Sequence, residues 1–369
     1  MKITQYSAVF LAASMVATAG TASAAMSFEA PNGWEFSAGG YIPVFFVADD
    51  TDNASNEATI TTGFNPASLN LGFTAPEQNG VTASGHFQLN NHVGVGGNNI
   101  DGLGSRVAKI NLDGDFGTVS IGQGYGLFGT PAIGDRGSAM GVGVKSGQGS
   151  SLATLGRIGT GYFYADFHPR LSYFSNRSNG VQFAVTAVDP ASVGDIESDT
   201  EVTTELPRFE ARLDYAGEMM HVWTSGATQE LDDVGANDDS ATLTGIDVGG
   251  ALDLGAGNLR ANYSTTEGTG GVVFGNATVA QTVAEEGYDQ WYVEGSYDFG
   301  IHTIGASYGE GEFDSAAEAN ELTMLFSRHR VTDALTFMIE LQDYAASDVA
   351  PLASQGDYQA FIVGSQLNF

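Results

Sequence analysis

Two short motifs in this sequence have the spacing of chemical sites. Gly124-Tyr-Gly126-Leu-Phe-Gly129 matches G-x-G-x-x-G, whose glycines let a backbone approach a dinucleotide pyrophosphate. That chemistry also needs a following helix and an acid for the ribose, and the residues after Gly129 supply neither. Gly305-Ala-Ser307-Tyr-Gly309 matches the nucleophile elbow. An elbow needs a strand-to-helix turn, whereas Ser307 lies inside an alternating strand. His302 and His329 are the candidate bases, but His302 and Ser307 fall on opposite faces of one strand. The histidines show no H-E-x-x-H spacing, and Asp50-Thr-Asp52-Asn53 lacks the downstream Gly and Glu of a calcium loop. With no cysteine, thiolate metal sites and disulfides are excluded. The expectation is no catalytic residue, no metal site and no cofactor, and a protein that is not an enzyme.

The elements that carry these residues follow from composition and period. The 369 residues hold 13 Lys+Arg against 44 Asp+Glu, a net charge of −31. So few basic residues cannot neutralise a phosphate backbone, which excludes nucleic-acid binding. Aromatics at 11% are too many for a disordered acidic chain. Met1-Lys2, the apolar run Val9 to Ala19 and Ala22-Ser23-Ala24 read as a secretory signal, with cleavage expected after Ala24 or Ala25. Removal of Lys2 takes the net charge from −31 to −32. The sequence therefore divides into 1–24, a signal peptide, and 25–369, a single domain.

After the signal the dominant period is two. Arg208, Glu210, Arg212 and Asp214 alternate with Phe209, Ala211, Leu213 and Tyr215, so charges take one strand face and apolar residues the other. Residues 290–299, 335–342 and 259–264 repeat the pattern. Tight turns are read at Pro76–Gly80, Asp113–Gly117, Asn176–Gly180, Ala216–Glu218, Leu254–Asn258, Asp298–Gly300 and Arg330–Asp333, with the Gly, Asn and Asp that reversed turns require. Longer connections are read at 49–65, 93–104, 125–168, 190–205, 229–239, 267–286, 310–319 and 345–355. Short and long connections take turns along the chain, which gives about 16 strands. A soluble sandwich has no reason to sort its connections by length, whereas a barrel crossing a membrane does: short turns on one side, long loops on the other. In lipid every backbone group must be paired internally, so the sheet must close. Acids gather in the long connections, as in Asp49, Asp50, Asp232 and Asp233. Trp34, Trp223, Trp291, Tyr173, Tyr263, Tyr297 and Tyr308 read as residues of the interfacial girdles.

Three segments resemble the Gram-negative general porins, the trimeric outer-membrane diffusion channels. They are Arg106 to Gln123 with its Gly-Asp-Phe-Gly turn, Arg170-Leu-Ser-Tyr-Phe-Ser-Asn with Asn179 to Val185, and Tyr358 to Phe369 with its terminal Phe. The resemblance implies an all-β, transmembrane antiparallel barrel whose third long loop, here 125–168, folds inward and narrows the pore. It implies loop residues Asp135, Arg136, Lys145, Arg157 and Asp166 set against a basic wall ladder of Arg106, Arg170, Arg208 and Arg212. Period two places Glu210, Asp214, Arg260, Glu294 and Glu340 in the lumen as well. The pattern departs from the family at Ser68-Leu69-Asn70-Leu71, where an arginine is usual, and at Pro131-Ala132-Ile133. Strand register is awkward at Arg106: outward Ala108, Ile110 and Leu112 put Lys109 in the lumen and Arg106 against lipid. A charge there costs about 2–4 kcal/mol, so a bulge or a protein-covered face is required.

The function implied is a water-filled channel for passive diffusion of small hydrophilic solutes and ions, with a mild cation preference from the acidic mouth. The alternatives are a substrate-specific channel for a sugar or another small solute, and a secreted β-protein or embedded enzyme. The implied partners are two further copies of the chain in a homotrimer, outer-membrane lipid and lipopolysaccharide, and the barrel assembly machinery, engaged through the strand ending at Phe369.

Overall fold

Alternation becomes a sheet because each side chain class can satisfy only one face. The structure, a computed structural model, describes residues 26–51, 58–62, 66–91, 104–137, 156–165, 167–189, 206–234, 237, 239–275, 277–349 and 356–369. Its strands are β1 (Met26–Glu29), β2 (Glu35–Thr51), β3 (Ala58–Thr61), β4 (Ala67–Thr74), β5 (Val81–Asn91) and β6 (Gly104–Gly114). Next come β7 (Gly117–Gln123), β8 (Pro169–Phe174), β9 (Val181–Val188), β10 (Arg208–Ala216), β11 (Met220–Val234) and β12 (Asp239–Leu254). The last six are β13 (Gly257–Glu267), β14 (Gly287–Phe299), β15 (His302–Phe313), β16 (Asn320–Arg330), β17 (Leu335–Ala345) and β18 (Tyr358–Asn368). Each pairs antiparallel with its neighbours, and β18 pairs with β2 to close the sheet. β3 and β4 share one edge of β2, and β1 and β18 share the other. The circumference is therefore a closed barrel of 16 strands. At the seam, Gly40 and Phe369 exchange backbone hydrogen bonds of 2.8 and 3.0 Å. Among the described residues no helix is long and apolar enough to cross a membrane.

The two faces are opposite in kind. On β10, Phe209 and Leu213 are exposed on the outside, while Arg208, Glu210 and Asp214 are buried on the inside. Ile110, Ile121, Leu171, Ile246, Ile304, Leu325 and Leu341 continue the exposed apolar surface around the barrel. That much contiguous apolar area marks a surface made for lipid. Asn79-Gly80 and Asn179-Gly180 have positive φ throughout, at 56°, 76°, 49° and 84°. Both are two-residue turns closed by a reciprocal pair, Gln78 with Val81 and Ser178 with Val181. Positive φ at both central positions matches the right-handed strand twist, which is why Asn-Gly serves here.

Some connections are shorter than the sequence reading makes them. The segment 229–239 is mostly strand, since β11 continues to Val234 and β12 begins at Asp239, with a register irregularity between Leu231 and Val234. β15 likewise continues to Phe313. Beyond the bilayer both faces of a strand meet water, so acidic residues that look like loop can remain paired. The connection after β13 holds one helical turn, α1 (Val279–Val283), capped by Thr278 and Gln281. Its neighbour Phe274 packs inside the barrel with Phe128, Phe163, Leu231, Leu243 and Tyr288.

Candidate functional site

The connection after β7 turns into the barrel because its backbone amides find carboxylates there. Gly129, with φ of 69°, starts a short 3-10 turn over Thr130–Ala132. Just before it, the amides of Leu127 and Phe128 donate to Glu210 Oε2 at 2.6 and 3.4 Å, and the Gly129 amide donates to Ser225 Oγ at 3.1 Å. Further along, the amides of Arg136 and Gly137 donate to the two oxygens of Glu294 at 2.6 and 2.9 Å. Charge-assisted bonds of this kind are about twice as strong as neutral ones. The Arg136 guanidinium pairs with Asp298 at 2.9 Å. Between the two anchors, Tyr292 donates to the Ala132 carbonyl at 2.8 Å, and Arg260 donates to Tyr292 Oη at 2.9 Å and to the Pro131 carbonyl.

The returning segment is held as tightly. Arg157 is fully buried and donates to Ser307 Oγ through Nε at 3.2 Å and a terminal nitrogen at 2.5 Å, and to the Leu322 carbonyl at 3.1 Å. Burial lowers its pKa, and the nearby carboxylates of Asp135 and Glu294 oppose that shift. Tyr162 donates to Asp135 Oδ1 at 2.9 Å. Burial first, and the Asp135 charge second, raise the Tyr162 pKa well above its ordinary value, so the hydroxyl keeps its proton.

The two motif matches resolve into these anchors. The amides following Gly126 receive a wall carboxylate, not a pyrophosphate, and Ser307 receives the Arg157 guanidinium. His302 Nδ1 faces His329 Nδ1 at 2.6 Å and has no contact with Ser307.

The wall arginines lie close to wall acids. Arg170 and Arg208 lie 3.5 and 3.0 Å from Glu210, and Arg212 and Arg177 lie 3.3 and 2.5 Å from Asp214. Asp135 accepts from Tyr162. Arg106 sits at a bulge: Gln88 pairs with Val107 and Leu89 with Ser105, so Arg106 is skipped. A bulge re-aims a side chain, and here the guanidinium lies over the Phe167 ring at 5.0 Å. Arg260 lies over Trp223 at 4.8 Å, and Glu340 is buried and accepts from Gln342 at 2.7 Å. Lys145 and Asp166 lie outside the described residues.

Of the aromatic residues expected in the girdles, Trp34 and Tyr297 are exposed, and Trp291 is half-buried against Tyr308, with ring centroids 5.6 Å apart. Trp223 is not in a girdle: it is 1% exposed, faces inward and donates to Asp247 and Asn262. Sequence reasoning missed Arg177, which lies in a turn and reaches Asp214. It also passed over His86 and Arg328, whose inward parity is legible from exposed Phe87 and Leu325 beside them.

The profile of the Gram-negative porins matches residues 11–348. The chain belongs to the Gram-negative porin family. This porin is accordingly an outer-membrane, multi-pass β-barrel that passes small solutes and does no covalent chemistry. Its fold is similar to the outer-membrane channel DcaP of Acinetobacter baumannii, at 14% identity and a TM-score of 0.70, over 93% of this chain and 99% of that one. It is also similar to an anion-selective porin from Comamonas acidovorans, at 13% identity and 0.64, over 91% and 100%. Salmonella typhi OmpF, in complex with daunomycin, is similar at 13% and 0.63, over 93% and 100%. No protein of curated function matches the sequence.

Inward residues Arg208, Asp247 and Tyr292 of the porin are buried against the inward connections, and Met324 and Ile362 are buried in a cluster with Phe45 and Val47 of β2. On the opposite wall Asn70, His86, Lys109 and Asn111 are half-buried, whereas Ser84, Gln88, Ser120 and Ser172 are buried. Tyr125 marks the boundary, donating to Gln88 at 3.0 Å. Burial raises its pKa, and the Gln88 bond and the Arg106 charge oppose this.

Proposed function

We propose that the porin forms a water-filled pore for passive diffusion of small hydrophilic solutes and ions, running between the inner wall of β4 to β9 and the described parts of the connection, 125–137 and 156–165. The observation that carries this reading is the patch of half-buried polar side chains on β4 to β6, Asn70, His86, Lys109 and Asn111: polar groups left half-open inside a closed barrel have water as their neighbour. Tyr288, Tyr292 and Trp223 face the lumen but are buried, so they give no open aromatic track for a sugar. In the same reading, Asp135, Arg136 and Arg157 shape the narrowest part, 1–24 is an export signal, and the chain assembles as a homotrimer in contact with lipid and lipopolysaccharide. The strand ending at Phe369 engages the assembly machinery.

Ion preference is assigned to the mouth. Lumenal acids such as Glu210 and Asp214 are paired with arginines, so the excess negative charge acts from exposed acids such as Asp232 and Asp233. Such charges favour cations at low salt. Planar-bilayer recording tests both claims. Discrete conductance steps are expected, with a mild cation preference from the reversal potential at about 0.01 M salt, where the screening length is about 30 Å. Absence of steps refutes the pore; anion preference at low salt refutes the assigned selectivity.

A further inference from the structure

On the outer face of the barrel, away from the pore, two histidines stand opposite one another. His302 opens β15 and His329 lies at the end of β16, and the two are register partners although 27 positions apart in sequence. Both face out, in parity with exposed Ile304 on β15 and exposed Leu325 on β16. They lie at the end of the barrel that carries the short turns, and both are half-buried. In the adjoining pair, the Arg330 amide donates to the Ile301 carbonyl at 2.9 Å. Bonded and unbonded pairs alternate along an antiparallel ladder, so His302 and His329 form an unbonded pair, the class whose side chains approach most closely.

The surroundings hold both rings in place. His302 lies beside Phe299 with ring centroids 5.4 Å apart, and His329 lies beside Phe337 at 6.2 Å. The imidazole planes cross at 73°, and the two Nδ1 atoms converge to 2.6 Å. On its other side His329 Nε2 lies 3.2 Å from Ser327 Oγ. A proton kept on Nε2 by that hydroxyl leaves the Nδ1 lone pair of His329 directed at His302. Without an ion, His302 satisfies it by donating from Nδ1. Moving that one proton to Nε2 of His302 turns the pair into two lone pairs aimed at one point. Imidazole nitrogens in this arrangement suit zinc and copper. Two nitrogens at about 2.0–2.1 Å from one tetrahedral ion stand roughly 3.3 Å apart, so the rings need part by only about 0.7 Å.

We propose that His302 and His329 form a two-histidine site for a divalent transition-metal ion of the zinc and copper class, bound through both Nδ1 atoms and clipping β15 to β16. Water completes the coordination, so the affinity lies below that of closed four-ligand structural sites. No local motif announces the site, because its ligands come from two strands. It sits on the outer face and does not depend on where the pore runs.

Calorimetric titration of the full chain, folded in detergent and stripped with EDTA, tests it with Cu²⁺, Zn²⁺ and Mg²⁺. Cu²⁺ is expected to bind more tightly than Zn²⁺, in the usual order for nitrogen sites. Mg²⁺, which takes oxygen ligands, should displace neither. Ser327→Ala should weaken Cu²⁺ binding about tenfold, as loss of a hydrogen-bond partner behind a ligating histidine does. His302→Asn and His329→Asn should weaken it further. His221, which lies 3.7 Å from Asp214, is the control, and His221→Asn should leave binding unchanged. Absence of Cu²⁺ binding overturns the proposal, as does binding undiminished in His302→Asn and His329→Asn, or binding lost in His221→Asn. Should the His302 and His329 variants fail to assemble, the paramagnetic resonance spectrum of the wild-type Cu²⁺ complex decides. Nitrogen splitting from two imidazoles agrees with the site, and splitting from one overturns it.

Discussion

Glu210 shows how much one carboxylate can organise. Its oxygens lie near two wall arginines, Arg170 and Arg208, and accept from the consecutive amides of Leu127 and Phe128. It therefore couples the wall to the inward connection. Replacing it by alanine leaves buried guanidinium charge and two amides without their acceptor, and breaking a buried pair of this kind costs about 3–5 kcal/mol. Glu210→Ala is expected to lower the midpoint of denaturant unfolding in detergent and to make the single-channel current noisier, as the connection loses one of its carboxylate anchors. Ser307 gives a second test at this scale. It is the acceptor for Arg157, so Ser307→Ala should destabilise by about 1–3 kcal/mol through an unsatisfied buried donor. Esterase assays of wild type and variant should be equally blank; hydrolysis by wild type that disappears in Ser307→Ala would make Ser307 a nucleophile after all.

At the scale of the element, the strand's period of two separates what lipid tolerates from what water tolerates. Leu213 faces out and Asp214 faces in on the same strand. Leu213→Lys places a charge in the hydrocarbon and should cost about 2–4 kcal/mol. Asn111→Lys, on the half-open inner wall of β6, should leave the unfolding midpoint nearly unchanged. Equal penalties in unfolding titrations would contradict the assigned faces. The turns make a related prediction. Gly180 has φ of 84°, and Gly180→Val forces a branched side chain into a left-handed conformation at about 1–2 kcal/mol. Refolding into detergent, followed by the change in gel mobility, should be slower or less complete.

For the whole molecule, the net charge of −31 is not the charge that a permeating ion meets at the narrow section. In the described lumen Glu210 and Asp214 are paired with arginines, whereas exposed acids such as Asp232 and Asp233 lie towards the mouth. Selectivity should therefore depend strongly on ionic strength, with the cation preference at about 0.01 M falling steeply by about 1 M as the screening length shortens tenfold. A permeability ratio constant across that range would place the deciding charges inside the barrel instead.

The sequence alone determined the closed β-architecture and most of the inward set. A period of two assigns Arg208, Glu210, Arg212, Asp214 and Glu294 to one face from local covalent geometry, and Asn-Gly at 79–80 and 179–180 marks turns by local sterics. Register at Arg106 was legible only as a conflict, and the bulge that resolves it depends on how β5 and β6 pair. Trp223 reads as a girdle residue in the sequence because lipid interfaces and packed interiors both accept tryptophan; only its partners Asp247 and Asn262, from two other strands, decide the face. The tertiary structure alone decided that Glu210 and Glu294 hold the inward connection, through residues 83 and 158 positions away in sequence. Such contacts arise when a closed barrel brings distant strands around a shared interior, and no local pattern encodes which charges will find a partner there.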